Sequence, residues 1–219
     1  MKTSRQKILL ACIAMLMAMV GDYLMGYNTG GFSDDGITMN VVSDLRYAAS
    51  SLLGFLCMPL FAIAALELLK VMETKYKLQD KKLYKLFKFG NWSGILYFAF
   101  VHIGLCMLPV VYNAGMEATA DPNASMDMLL RVGKSILIPL LIAYLTSDIV
   151  VLIAWVGMVV KGHIPVKKIF LICNPLVIAI IGNLANLIHD GLDSGFESFG
   201  WLLMYLVCAM CLVNKTERV

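Results

Sequence analysis

The stretch Tyr97-Phe-Ala-Phe-Val-His102-Ile-Gly-Leu-Cys106 decides the architecture of this chain, because it places one histidine within an otherwise apolar segment, Asn91–Tyr112. The segment has about the 20 residues that an α-helix needs to cross a bilayer. A titratable side chain at that depth is costly unless it faces the interior of a helix bundle and finds a partner there. His102 therefore predicts a polar site inside a membrane-embedded bundle.

Composition indicates the same class of protein. Of the 219 residues, 60% are hydrophobic and 15% are charged, whereas soluble domains have about 25% charged residues. The apolar residues are gathered in long runs, which predicts an all-α, polytopic membrane helix bundle in a single domain, residues 1–219. We expect six transmembrane helices, at about residues 8–27, 47–72, 91–112, 128–160, 169–189 and 201–213.

Lysine and arginine are distributed asymmetrically between the predicted loops. If both termini and the even-numbered loops are cytoplasmic, only Arg46, Arg131 and Lys134 of the 18 basic residues face outward. This distribution matches the positive-inside rule. We therefore expect cytoplasmic termini in an integral protein of a bacterial cytoplasmic (inner) membrane. The basic loops face anionic membrane lipids as partners, and they do not indicate nucleic-acid binding.

Polar residues in or beside these spans are the candidates for a ligand-binding site. They are Asp22, His102, Asp148, Asn183, Asn186, His189 and Asp190. With the expected topology they share the outer half of the bilayer, which predicts a pocket open to the outer side for a small cationic or amphiphilic ligand. The alternative for the two asparagines is a hydrogen bond between helices. The alternative for His189 and Asp190 is a solvated helix end.

Asp22 and His102 are the pair most strongly expected to touch. An isolated ionised carboxylate within an apolar run costs several kcal/mol, and His102 lies at a similar depth on a neighbouring span. His102 could also pair with Asp148. We expect that removing one partner destabilises the protein and that removing both costs no more than removing either.

Two other functional classes stay open at this point. Two aspartates and two histidines are suitable ligands for Zn²⁺, and in residue types the chain resembles seven-helix membrane hydrolases of the ceramidase and adiponectin-receptor kind. It lacks their Ser-x-x-x-His and His-x-x-x-His pairs, so metal content, cofactor and catalytic residues are unassigned. In the third hypothesis the chain is a ligand-free structural membrane protein whose polar residues only fix helix packing.

Three short motifs carry a closer resemblance. Gly21-Asp22-x-Leu24-x-x-Tyr27 ends the first span, His102 lies in the middle of the third, and Asn174-Pro175 opens the fifth. In this order they resemble a family of bacterial multi-pass integral membrane proteins of unknown function. The resemblance covers most of the chain and implies no activity. It does imply that Asp22 and His102 belong to one site.

Overall fold

The computed structural model of the protein describes residues 2–26, 43–185, 187–188 and 193–213. Within these residues the chain is helical and contains no strand. Its α-helices are α1 Lys2–Gly26, α2 Asp44–Thr74, α3 Lys82–Thr119, α4 Pro122–Tyr144, α5 Val150–Val160, α6 Pro175–Ala185 and α7 Phe196–Cys211. A π-helical turn, Leu145–Ile149, joins α4 to α5, and a 3-10 turn, Lys168–Ile172, precedes α6.

Four helical segments in the described part of the chain are long and apolar enough to cross a membrane. They are Thr3–Gly26, Asp44–Thr74, Lys82–Thr119 and Pro122–Val160. The all-α bundle with membrane-compatible helices is thus confirmed. The helices extend beyond the predicted spans: α3 has 38 residues, or about 57 Å at 1.5 Å per residue. The hydrocarbon core of a bilayer is only about 30 Å thick, so the ends of α3 reach past it.

The fifth predicted span, residues 169–189, is not one continuous helix. The chain passes from the 3-10 turn through Cys173 into α6, which begins at Pro175. Asn174 is fully buried, and its Oδ1 accepts a 3.0 Å hydrogen bond from Val177 N. Asparagine as the helix cap followed by proline in the first turn is a strong helix-start signal. The Asn174-Pro175 motif therefore starts α6 locally, and the number of membrane crossings stays a prediction.

Aromatic side chains pack where α2, α3 and α7 meet. Phe61 lies with its ring centroid 5.5 Å from those of Phe98 and Tyr205 and 5.6 Å from that of Trp201. The hydroxyl of Tyr205 donates a hydrogen bond to the side-chain oxygen of the buried Asn91. These contacts join α2, α3 and α7 through packed aromatic rings.

Several contacts identify the end of the bundle that carries most of the basic residues, which we call the basic end. Glu67, late in α2, pairs with Lys7 at 3.6 Å and accepts a hydrogen bond from Ser4 at 2.5 Å, both early in α1. Lys75 and Tyr76 donate to the backbone oxygen of Leu212 just after α7. The ends of α2 and α7 and the start of α1 therefore lie together, and the end of α1 and the start of α7 lie toward the opposite end.

Candidate functional site

Asp22 near the end of α1 and His102 in the middle of α3 form an ion pair across the bundle. His102 Nδ1 lies 3.1 Å from Asp22 Oδ1, and the two side chains are 11% and 19% exposed, respectively. The second carboxylate oxygen accepts a 2.6 Å hydrogen bond from Ser198 Oγ on α7. The expected contact is confirmed, and it connects three helices that are distant in sequence.

The other ring nitrogen of His102 faces Ser50 on α2. His102 Nε2 is 2.9 Å from Ser50 Oγ and 3.1 Å from the backbone oxygen of Ser50. A carbonyl oxygen can only accept a hydrogen bond, so Nε2 donates here while Nδ1 donates to Asp22. Both ring nitrogens donate at once only when the ring is protonated. A charged donor opposite a carboxylate makes a stronger hydrogen bond than a neutral pair.

Ser50, His102 and Asp22 have the residue types of a hydrolase triad, but their geometry is that of a structural cross-link. Ser50 is fully buried, and its hydroxyl donates a 2.7 Å hydrogen bond to the backbone oxygen of Gly21. A nucleophilic serine would have to donate to the imidazole instead. We therefore assign no catalytic role to this group.

Two glycines make room for the histidine ring. A Cβ atom added at Gly54 would lie 2.3 Å from His102 Cδ2, and one added at Gly21 would lie 3.2 Å from His102 Nε2. The first distance is far shorter than any real contact, so only glycine fits there. Gly21 and Asp22 of the sequence motif thus act together, since one admits the ring and the other binds it.

Asp148 occupies a separate and sealed centre in the π-helical turn. It is 1% exposed, and its two oxygens lie 2.9 Å from Trp201 Nε1 and 2.7 Å from Ser147 Oγ. Single π-turns often mark functional sites. Two hydroxyl oxygens also lie within hydrogen-bond distance of the backbone oxygen of Ala143, Thr146 Oγ1 at 3.2 Å and Ser147 Oγ at 2.7 Å. Of Asp22 and Asp148, the two partners considered for His102, the structure pairs it with Asp22.

A cavity of about 360 Å³ lies between α1, α2, α3, α6 and the start of α7. Asp22, His102 and Asn183 line it, and Asp148 does not. Part of its wall is apolar and includes Met15, Met58, Phe98 and Trp201. Three of the predicted candidates thus share one concave space with an acidic and an apolar side.

Several residues of this cavity were not among the candidates derived from the sequence. Asp193, Glu197 and Ser198 line it beside Asp22. The sequence pattern assigned them to a turn-rich loop, whereas α7 starts five residues before Trp201, at Phe196. Gly195 permits this start because it adopts φ +84°, which favours glycine. The acidic residue in the first helical turn, Glu197, was the available signal for this earlier helix start.

The remaining candidates are accounted for differently. Asn183 lines the cavity, but its amide donates a 2.9 Å hydrogen bond within its own helix, to Ala179 O. Asn186, His189 and Asp190 lie outside the described residues. Within the described ranges, no three His, Cys, Asp or Glu residues converge as a group that could hold a metal ion. The zinc hypothesis therefore gains no geometric support from that part of the chain.

The chain belongs to a family of unknown function (DUF6796), whose model matches residues 1–215. The expected membership of an uncharacterised family is thereby confirmed, and its bacterial origin stays a prediction. No match to the chain is found among curated proteins, and none among solved structures.

Proposed function

We propose that this DUF6796 protein is a multi-pass membrane protein that binds a small cationic or amphiphilic ligand in its cavity. The observation that carries the proposal is the charge of the cavity wall. Asp22, Asp193 and Glu197 contribute three carboxyl groups, His102 is the only basic side chain, and no Lys or Arg is among the described lining residues. With His102 compensating Asp22, Asp193 and Glu197 are carboxyl groups of the wall for which the described lining offers no second basic side chain.

A cation is the chemical complement of this wall. Carboxylates removed from bulk water are costly unless an opposite charge or hydrogen bonds compensate them. The neighbouring Phe98 and Trp201 rings can attract a cation through their faces. Met15 and Met58 are flexible and polarizable, so they adapt to apolar groups of different shape. The combination supports a ligand that has one positive charge and an apolar part.

The positions of the charges support an outward-facing cavity. The basic end of the bundle includes Lys7 and Lys75, and the hydrogen bonds of Lys75 and Tyr76 to Leu212 lie there. Under the positive-inside rule, an end rich in lysine and arginine is expected to be cytoplasmic. The cavity lies toward the opposite end, near Asp193. We accordingly propose six crossings, cytoplasmic termini and residence in a bacterial inner membrane.

This topology is tested by labelling single cysteines with a membrane-impermeant maleimide in intact cells. A cysteine at the exposed Glu117 should react from outside. One at the exposed Lys81 should react only after the cells are opened. The native chain measures the background from its own cysteines, and the reverse labelling pattern overturns the topology.

Ligand binding is tested with benzyltrimethylammonium and its uncharged carbon isostere, neopentylbenzene, by equilibrium binding to the purified protein in a neutral detergent. We expect the cation to bind and the isostere to bind at least tenfold more weakly, about 1.4 kcal/mol. Glu197→Gln should lower the affinity for the cation. The matched control is Glu117→Gln, because Glu117 is an exposed carboxylate outside the cavity. Equal binding of both compounds, or equal effects of both variants, would refute the proposal.

A further inference from the structure

Two helical hairpins flank the cavity, and each is closely packed within itself. α6 packs on α7 at two glycines: a Cβ at Gly182 would lie 2.5 Å from Phe196, and one at Gly200 would lie 2.5 Å from Pro175. Among the described residues, α6 also contacts the π-helical turn. α6 is therefore fixed to α7 and leaves its other faces for the cavity and the bilayer.

The second hairpin is formed by α3 and α4. A Cβ at Gly115 would lie 2.9 Å from Ser125, and the faces around Gly104 and Gly133 of the two helices are also in contact range. Ser125 and Ala143 are buried along α4, while six of its large apolar side chains are exposed. α4 is thus fixed to α3 in the same way that α6 is fixed to α7.

Between these hairpins the cavity is bordered by residues that are only partly buried. Val101 and Leu105 of α3 and Tyr144 at the end of α4 line one side, and Ala179 and Asn183 of α6 line the other. We call the space between them the lateral cleft. Its border is apolar apart from the Tyr144 hydroxyl and the Asn183 amide, and the cavity that it borders is also lined by Asp22 and Glu197.

The outer surfaces beside the lateral cleft face the bilayer. On α4, Leu141 and Ile142 are 48% and 50% exposed, and on α6, Ile180 is 56% exposed. Exposed large apolar side chains on helices that cross a membrane are solvated by lipid chains. An apolar molecule dissolved in the bilayer therefore contacts the surfaces that border the lateral cleft.

We infer that the ligand is a single-chain amphiphilic cation whose ammonium group binds at Asp22 and Glu197 while its alkyl chain lies in the lateral cleft. This inference rests on the proposed cation site and adds the chain and its route of entry. Charge complementarity with the cavity wall selects the head group, and the apolar border of the cleft selects the chain.

The test uses a series of alkyltrimethylammonium ions, from tetramethyl to decyl, that displace radiolabelled benzyltrimethylammonium from the protein in nanodiscs of neutral lipid. Burial of a methylene group gains up to about 0.8 kcal/mol. We expect the decyl compound to displace the reporter at a concentration at least tenfold lower than the tetramethyl compound. Ala179→Trp fills the lateral cleft and should abolish this gain, which is measured as the ratio between the decyl and tetramethyl compounds on the same variant, so that a change in reporter affinity cancels.

The matched control is Ile180→Trp, which adds the same side chain to the lipid-facing surface of α6 and should keep the gain. Val101→Trp blocks the opposite border and replaces Ala179→Trp if that variant does not fold. A reporter that binds without any gain from chain length overturns the inference and leaves the proposed function standing. A gain that persists in both Ala179→Trp and Val101→Trp likewise overturns the inference and leaves the proposed function standing. A reporter that does not bind the native protein overturns the proposed function and the inference together.

Discussion

Asp148 and Asp22 are two carboxyl groups within the same bundle, and their surroundings differ. Asp148 is 1% exposed and its oxygens are taken by Trp201 and Ser147. Asp22 is paired with His102 and Ser198, yet its side chain is 19% exposed and lines the cavity. Both groups satisfy the requirement that a carboxyl group inside a membrane protein has partners. Only Asp22 also faces space that another molecule can enter.

This difference separates a structural role from a binding role. The Asp148 centre joins the π-helical turn to α7, so its loss should affect stability and leave ligand selectivity unchanged. The Asp22 centre joins α1, α3 and α7 and also contributes charge to the cavity. Loss of the Asp22 centre should therefore affect both stability and ligand selectivity.

The largest effect is expected at the ion pair. Asp22→Ala and His102→Ala should each lower the free energy of unfolding by roughly 2–5 kcal/mol, because each leaves the other group buried without its partner. The double variant should be no less stable than either single variant. Denaturant unfolding in detergent measures all three. Losses that add within about 0.5 kcal/mol would show that the two residues are not coupled.

A smaller loss is expected at the Asp148 centre. Trp201→Phe keeps the aromatic packing but removes the indole donor, which leaves one oxygen of a sealed carboxyl group without its partner. The cost should be roughly 1–3 kcal/mol, measured by the same unfolding experiment. The matched control is Trp92→Phe, at a site that is 41% exposed, and it should change stability by less than about 0.5 kcal/mol. The separation of the two centres is checked at Ser147, which contacts Asp148 and does not line the cavity. Benzyltrimethylammonium selectivity should be unchanged in Ser147→Ala, and a loss of selectivity would contradict the separation.

The next largest loss of stability is expected at Gly54, the glycine that makes room for the His102 ring. Gly54→Ala places a methyl group 2.3 Å from His102 Cδ2. Overpacking of this kind costs about 1–3 kcal/mol, and alanine recovers up to about 1 kcal/mol of helix propensity. The net loss should be about 1–2 kcal/mol. Gly104→Ala is the control, because its nearest contact would be an ordinary 3.7 Å. Equal stability of the two variants would remove the steric argument for Gly54.

The smallest effect is expected at Asn183, whose amide donates within its own helix in the described part of the chain. Asn183→Ala should change the free energy of unfolding by less than about 0.5 kcal/mol. A loss above about 1 kcal/mol would instead reveal a contact with another helix, as the sequence alternative for this residue supposed.

The Asp22–His102 pair could be predicted because both residues interrupt apolar segments and the cost of isolation demands a partner. The partner of Asp148 could not, since Trp201 is itself a common apolar core residue and its indole donor gives no periodic signal. Glu197 and Ser198 were missed because α7 begins at Phe196, five residues before the predicted span, after a turn that depends on Gly195. The broken fifth span follows from the local preference of Asn174 and Pro175 for a helix start, which hydropathy averaged over a window does not detect.

The most direct test of a cation site at Asp22 is an experimental structure of the protein in nanodiscs with decyltrimethylammonium. The account predicts density for the ammonium group within about 5 Å of the Asp22 or Glu197 carboxyl oxygens, the range over which opposite charges interact strongly. It also predicts chain density between α6 and the α3–α4 hairpin and none beside Asp148. A cavity that holds only water, with the amphiphile confined to the outer surface of the helices, would contradict it.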